Sequence, residues 1–461
     1  MRTKKTSIKY VALLLALALC LSVALTACSE ENEEQESSEA ETEAPFEPAE
    51  DKGEESELGL RYSEYKENAA LAFKNNSPLD KDFFSYDKAD GKVKIVKYTG
   101  DESIIVVPDK IDGAEVVEIG AGAFSGGSIR AVYLPDTVKR IEQGAFDNCE
   151  GLSTLRLPFV GDGGENNYIG YVFGADEPDE NAIALPPSLD MIIVGEGCES
   201  IGDEAFKGAK TLSAIVLSEN ISRIGKLAFY QCLDLVYLEC NGVSEIDEYA
   251  LAYCKSLYSI DVSNAQNIAK GALFSCTSLN SISLSLGEND YLGRIFDAAS
   301  ADYNDELVPT SLRKVTVAEG CKSIPARAFY SCQYVTEINL PDSLESIGIR
   351  AFYACRSLGG VTIPDNVKEI RDDAFFGCDN LAELTLGKSL EAIGMQAFYG
   401  CGALKRVDCP ESLKEIGASA FYGCRSLTSV DLGGAGKVGK DAFGGCPELS
   451  PIDYSGVTVE E

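Results

Sequence analysis

Residues 335–357 read VTEINLPDSLESIGIRAFYACRS, and residues 358–380 read LGGVTIPDNVKEIRDDAFFGCDN. Placed one under the other, they share their apolar columns: Ile338 over Val361, Leu344 over Val367, Ile347 over Ile370, Phe352 over Phe375, Cys355 over Cys378. The phase holds well beyond this pair. Phe329, Phe352, Phe375, Phe398 and Phe421 recur at one constant interval, and Phe443 follows a single position early. An alanine precedes each of the six, and a cysteine follows three positions later, at Cys332, Cys355, Cys378, Cys401, Cys424 and Cys446. Upstream the same anchor recurs at Phe124, Phe146, Phe206, Phe229, Leu251 and Leu273, with degenerate copies at Phe173 and Phe296. After each degenerate copy the spacing grows to 33, which marks a ten-residue insertion. The two insertion modules are copies of one another, because Tyr168/Tyr291, Phe173/Phe296, Pro186/Pro309 and Cys198/Cys321 share an offset of 123.

A unit this short, with one apolar alternation, cannot bury its own inner face, whereas stacked copies can. Segments such as Leu381-Ala382-Glu383-Leu384-Thr385-Leu386 supply the period-two core of a strand, closed in other coils by Pro341 or Pro364. Ile347-Gly348 gives a second inward residue and a turn, and Ala-Phe-x-x-Cys reads as a tight helical turn. The expected fold is an α/β repeat solenoid of about fourteen coils, each of roughly 22–23 residues. It has a parallel β-sheet and short helical turns and covers positions 92–461. Insertions fall near 159–188 and 297–311.

This pattern resembles the BspA-like bacterial leucine-rich repeat family over roughly residues 92–450. Residues 92–118, with Val106-Val107-Pro108 and Val116 to Ile119, look like that family's N-terminal capping coil. The resemblance implies an exported surface protein that takes part in adhesion or protein binding. Departures exist: Gly127 and Ala209 stand where the repeat cysteine is expected, and the coils of Phe173 and Phe296 have lost it.

The beginning of the chain reads as an export address. Arg2, Lys4, Lys5 and Lys9 precede the apolar run Val11–Ala24, so residues 1–27 read as a signal peptide. Leu25-Thr26-Ala27-Cys28 looks like a bacterial lipobox, which implies lipidation of Cys28 and a membrane anchor through it. Residues 28–57 hold fourteen acidic residues and one lysine, too polar to pack, and read as a disordered tether. Residues 58–91 read as a short helix, Tyr62 to Lys74, followed by a linker.

Composition excludes whole classes of chemistry. The 461 residues contain no histidine, which removes His-based triads, proton relays and metal sites. With 74 acidic against 40 basic residues the net charge is −34, and it falls to near −38 without residues 1–27. Nucleic acid is therefore not an expected partner. No cofactor fingerprint occurs, and the chain reads as a monomer without enzymatic activity. A carboxylate-pair hydrolase built on Asp302, Asp305 and Glu306 is the catalytic alternative.

Sixteen cysteines in an exported chain suggest disulfides, but fourteen hold inward repeat positions and read as small buried hydrophobes, with ladder disulfides as the alternative. Two exposed stripes are candidate binding surfaces. One is the strand column Asp261, Ser283, Thr316, Asn339, Thr362, Thr385, Asp408 and Asp431, suited to a protein or glycan ligand. The other is the aromatic stripe Tyr330, Tyr353, Phe376, Tyr399 and Tyr422. For both, the competing role is purely structural: a solvated face, a self-packed edge, or a spacer in the envelope. Acidic groups in the insertions, including Asp176, Glu177, Asp179 and Glu180, are candidate Ca²⁺ ligands without the usual loop spacing.

Overall fold

The computed structural model describes residues 56–71 and 77–460. Residues 1–55, which contain the expected signal peptide, Cys28 and nearly all of the acidic tether, lie outside the described residues.

One strand per coil builds a twelve-stranded sheet running from Ile104–Val106 to Glu383–Thr385, and the pair Arg406–Asp408 and Ser429–Asp431 carries the same face onward. Every pairing in this sheet is parallel, and successive rungs are in register: Ser259, Asp261 and Val262 face Ser281, Ser283 and Leu284. A second parallel ladder runs through two-residue strands such as Ser346–Ile347 and Glu369–Ile370, one coil above the next. Between the ladders lies a continuous apolar interior. Its anchors Phe329, Phe352, Phe375, Phe398 and Phe421 are each 0% exposed. Their rings stack in a column with centroids 4.8–5.2 Å apart. That spacing is set by the strand separation of a parallel sheet, so identical side chains at identical positions have to meet face to face.

The fold is a parallel β-solenoid of about 16 turns, with few helices. The two turns beyond the expected fourteen carry no Phe anchor. One contains Lys92–Tyr98 at the beginning, and the other contains Thr458–Val459, which pairs with Lys437–Val438 at the end.

The Ala-Phe-x-x-Cys segment is not helical, contrary to expectation. Regular copies pass twice through left-handed backbone, for example at Arg350 (φ 56°) and Ala354 (φ 55°), and a right-handed helix cannot continue across such residues. Its amides alternate instead. Those of Arg350, Phe352 and Ala354 donate to Asp372, Ala374 and Phe376 of the next coil, while those of Tyr353 and Cys355 reach back to Arg350 and Phe352. Every second N–H thus serves the stack and the others close the turn. Gly348 answers a different need from a turn glycine: a Cβ there would lie 2.7 Å from Ile324 O and Ala326 N of the coil before it.

All fourteen cysteines of the described residues are free, thirteen of them buried. Ladder thiols donate to the carbonyl of the previous coil's anchor: Cys355 Sγ to Phe329 O at 3.1 Å, Cys378 to Phe352 O at 3.2 Å, Cys401 to Phe375 O at 3.3 Å. A thiol is small enough for the interior and still meets the second lone pair of a buried carbonyl.

The N-terminal region also departs from the expected linker. The helix spans Glu57–Leu71, starting inside the segment read as tether. Phe84–Ala89 then pairs antiparallel with Lys92–Tyr98. Asp90 (φ 51°) and Gly91 (φ 73°) make the hairpin turn, an Asp-Gly signal that marks this connection. The hairpin edge covers the first coil.

Both insertions fold alike. Ile169–Phe173, Pro178–Glu180 and Asn181–Ala184 recur at Leu292–Phe296, Ala301–Tyr303 and Asn304–Leu307, each displaced by 123. At the centre of each is a fully buried asparagine. Asn181 Oδ1 accepts from Gly170 N at 2.7 Å and its amide donates to Lys207 O at 3.1 Å. Asn304 Oδ1 accepts from Gly293 N at 2.9 Å.

Candidate functional site

The outward side chains of the long sheet form columns because register is preserved from rung to rung. Asp261 sits beside Ser283, Ser283 beside Thr316, Thr316 beside Asn339, Thr362 beside Thr385, and Asp408 beside Asp431. Asp261, Asn339, Thr362, Thr385, Asp408 and Asp431 are exposed, while Ser283 and Thr316 are half-buried. The stretch is polar and locally cross-linked. Lys314 Nζ lies 2.7 Å from Glu337 and holds that carboxyl below its ordinary range, with Asn339 Nδ2 donating to the same group at 3.0 Å. Arg406 pairs with Asp408 at 2.6 Å. A shallow depression opens over Asn339, Gly360, Thr362, Glu383 and Thr385, where Gly360 contributes no side chain to fill it. Such a surface can offer hydroxyl, amide and carboxylate groups to an extended partner.

The column does not stay polar toward the N-terminus. Arg156 is followed by Ile193 and Val216, and the adjacent column runs Thr154, Met191, Ala214, Tyr237. Met191, Ile193, Ala214, Val216 and Tyr237 form a second apolar cluster, separate from the interior, and Tyr62 and Tyr65 of the helix pack against it. Burial pushes the Tyr237 hydroxyl well above the usual phenol range, reinforced by its hydrogen bond to Glu239 at 2.9 Å. Sequence reasoning passed over this cluster. The signal was present: Met191-Ile192-Ile193-Val194 and Ala214-Ile215-Val216-Leu217 lack the alternation of a half-buried strand.

The aromatic stripe is assembled as a second column of stacked rings. Tyr330, Tyr353, Phe376, Tyr399 and Tyr422 follow one another at 4.7–5.1 Å with interplanar angles of 3–12°. The Arg327 guanidinium lies 4.6 Å from the Tyr330 centroid and covers its remaining face. The solvent therefore meets ring edges.

In the insertions, Asp179 pairs with Lys207 at 2.8 Å, Glu180 accepts from Asp176 N at 2.8 Å, and Asp302 pairs with Arg327. Among the described residues, no group of three or more His, Cys, Asp or Glu is arranged to hold a metal ion, and no helix is long and apolar enough to cross a membrane. Cys28 lies outside the described residues.

The coil geometry agrees with a comparison at family level: the model of the BspA type leucine rich repeat region matches residues 113–161, 180–296 and 322–450, in six copies. The chain belongs to the BspA-type leucine-rich repeat family. Solved structures similar to this family member include a leucine-rich repeat protein from Bacteroides ovatus, 21% identical, covering 81% of this chain and 93% of that one, with a TM-score of 0.30. A leucine rich cell surface protein from Faecalibacterium prausnitzii is 19% identical, covering 84% and 95%, with a TM-score of 0.26. One from Eubacterium ventriosum is 20% identical, covering 81% and 89%, with a TM-score of 0.33. No curated protein matches the chain.

Proposed function

We propose that this leucine-rich repeat protein is a non-catalytic binding module, lipid-anchored at the cell surface through Cys28, whose long sheet face captures a protein ligand. The in-register outward columns carry the reading. They present fixed polar groups at the strand spacing over many coils, a surface that suits an extended partner and has no cleft for chemistry. The lipobox Leu25–Cys28 and the acidic tract behind it support presentation away from a membrane. A glycan ligand is disfavoured at the aromatic stripe, because sugar stacking needs free ring faces and these are turned on one another.

The test is capture of host matrix and envelope proteins by the full chain, compared with the double variant Thr362→Arg, Thr385→Arg. Loss of capture with an unchanged melting temperature supports the reading; equal capture refutes it. Cys28→Ala should release the protein from the membrane fraction, and continued retention there would refute the anchor.

A further inference from the structure

The second ladder is interrupted where the second insertion begins. Asn267–Ile268 ends one four-stranded sheet, and Ser323–Ile324 opens the next. The long sheet runs past this point without a gap, from Ser259–Val262 to Ser281–Leu284 to Lys314–Val317. The coil of Phe296 therefore contributes a rung on one side of the solenoid and none on the other. Intact rungs show what is lost. Ser244 O accepts from Gln266 N and Asn267 N, and Ile246 O accepts from Ala269 N. At the gap, no backbone bond among the described residues reaches Gln266 O, Ile268 O or Ile268 N. Across it, Pro325 takes the place that Gly348 holds one coil later, where the glycine amide donates to Ile324 O. Proline has no amide hydrogen, so this coil asks no such bond of the missing rung.

The first insertion module is built alike but closes its own gap. Eleven residues, 158–168, join its sheet strand to Ile169–Phe173, and Asp162 O accepts from Ile141 N at 3.2 Å. Gly163 lies so near this edge that a Cβ would fall 2.6 Å from Lys139 O. The second module has seven residues, 285–291, for the same span. Leu286 N donates instead to Cys321 Sγ at 3.4 Å, which draws the shorter loop toward the following coil. Between that loop and the edge at Gln266 and Ile268 lies a cavity of about 220 Å³. Its apolar lining is Leu284, Ile268 and Ile295, all buried. Arg294 also lines it, paired with Asp290 at 3.0 Å, and its Nε is buried without a hydrogen-bond partner.

We propose that this gap is a docking slot for an extended segment of a protein partner, which enters as the missing parallel rung with an aliphatic residue turned inward and glycine after it. The slot lies off the outward face of the long sheet and is a second site. The chain itself defines the guest. Ser346-Ile347-Gly348 is such a rung: Ser346 N donates to Lys322 O, Gly348 N donates to Ile324 O, and Ile347 is fully buried. Set into the gap, the same backbone meets Gln266 O, Ile268 O and Ile268 N, and its aliphatic side chain covers Leu284 and Ile295. Main-chain bonds give the affinity, the apolar lining selects the inward side chain, and Arg294 Nε gains an acceptor oxygen from the guest.

The probe is a labelled peptide of residues 345–349, blocked at both ends and titrated against the full chain. Saturable binding at one site per chain is expected, with slowed hydrogen exchange at the Ile268 amide and no change at Ile141. N-methylation of the peptide at Gly348 removes the donor to Ile268 O and should weaken binding about tenfold. Ile347→Asp in the peptide should abolish it, since a carboxylate would have to enter the apolar lining. Exchanging residues 285–291 of the chain for residues 158–168 should close the slot and weaken binding at least about tenfold at an unchanged melting temperature. No saturable binding, equal affinity of the N-methylated peptide, or undiminished binding by a folded loop-exchanged chain would overturn the proposal. Self-association of the chain that the peptide reverses would assign the slot to a second copy and overturn it as well. The methylated peptide probes the unaltered chain, so the answer does not depend on the loop exchange folding.

Discussion

Phe375→Ala is the substitution whose cost follows most directly from the stack. The ring is fully buried and lies between Phe352, at 4.8 Å, and Phe398, at 5.1 Å. Burying about 150 Å² of aromatic surface at about 25 cal/mol per Å² gives about 4 kcal/mol, within the range of about 3–5 kcal/mol seen for deeply buried phenylalanines. The neighbours cannot close the gap, because each is fixed by its own coil's ladder bonds. Phe443 provides the control. It has Phe421 on one side only, at 5.4 Å, and is half-buried, so Phe443→Ala should cost about half as much or less. Urea unfolding followed by far-UV circular dichroism measures both, and hydrogen exchange locates the loss. Protection should fall first in the coils flanking Phe375, since each coil is stabilised only through its neighbours. Equal costs at the two positions, or a cost at Phe375 under about 1.5 kcal/mol, would refute the idea that one shared interior holds the coils.

Other expectations are independent of that one. Burial pushes the thiols of Cys232, Cys276 and Cys355 up to about 12, whereas the Cys424 thiol pulls that of half-buried Cys446 down. A thiol reagent should therefore label Cys446, the one ladder thiol that is not fully buried, first in the native chain with Cys20 and Cys28 replaced, and faster as the pH rises; comparable rates at several cysteines would contradict this. Asn304→Ala should cost about 1–3 kcal/mol by leaving the Gly293 amide unpaired in the interior, and Asn181→Ala should match it, both read by thermal melting. Glu142 is held below the usual carboxylate range by Lys94 Nζ at 2.6 Å, and by the Ala121 amide. Because the folded value is depressed, its contribution is complete above the ordinary value of 4.5 and is lost as the pH falls through the lowered one. Acid should thus loosen the capping hairpin, and Glu142→Gln should weaken that pH dependence without abolishing it, because Asp112 beside Lys81 and Tyr86 is depressed as well, as followed by hydrogen exchange of residues 92–98.

The repeat was legible because a translation by one coil carries every side chain onto its equivalent, which fixes interior, sheet face and register together. The columns through Asp261, Thr362 and Asp431 follow from that alone. The turn after Ile-Gly was misread although its second left-handed position carries glycine in several coils, at Gly377, Gly400 and Gly423, a mark the sequence does show; its first is held in the same region by Arg350, Asp373, Gln396 and Ser419, residues with no common mark. Stack hydrogen bonds on either side hold these residues there, at a cost that local propensity cannot reveal. The hairpin at Asp90-Gly91 could have been found from its dipeptide. The helix on the sheet could not, since Tyr62 and Tyr237 are remote in the chain and meet only where the solenoid brings two strands side by side.

Alternation of amide bonds between the turn and the next coil has a genetic consequence. Regular coils offer the same backbone donors upward and the same backbone acceptors downward, so excising residues 352–374 would join Ala351 directly to Phe375 and leave the remaining backbone bonds of the turn with equivalent partners. In-frame exchange between equivalent positions of neighbouring coils can therefore add or drop whole rungs without breaking the backbone ladder, and the molecule's reach becomes a heritable trait that changes in steps of a single strand spacing, about 4.8 Å.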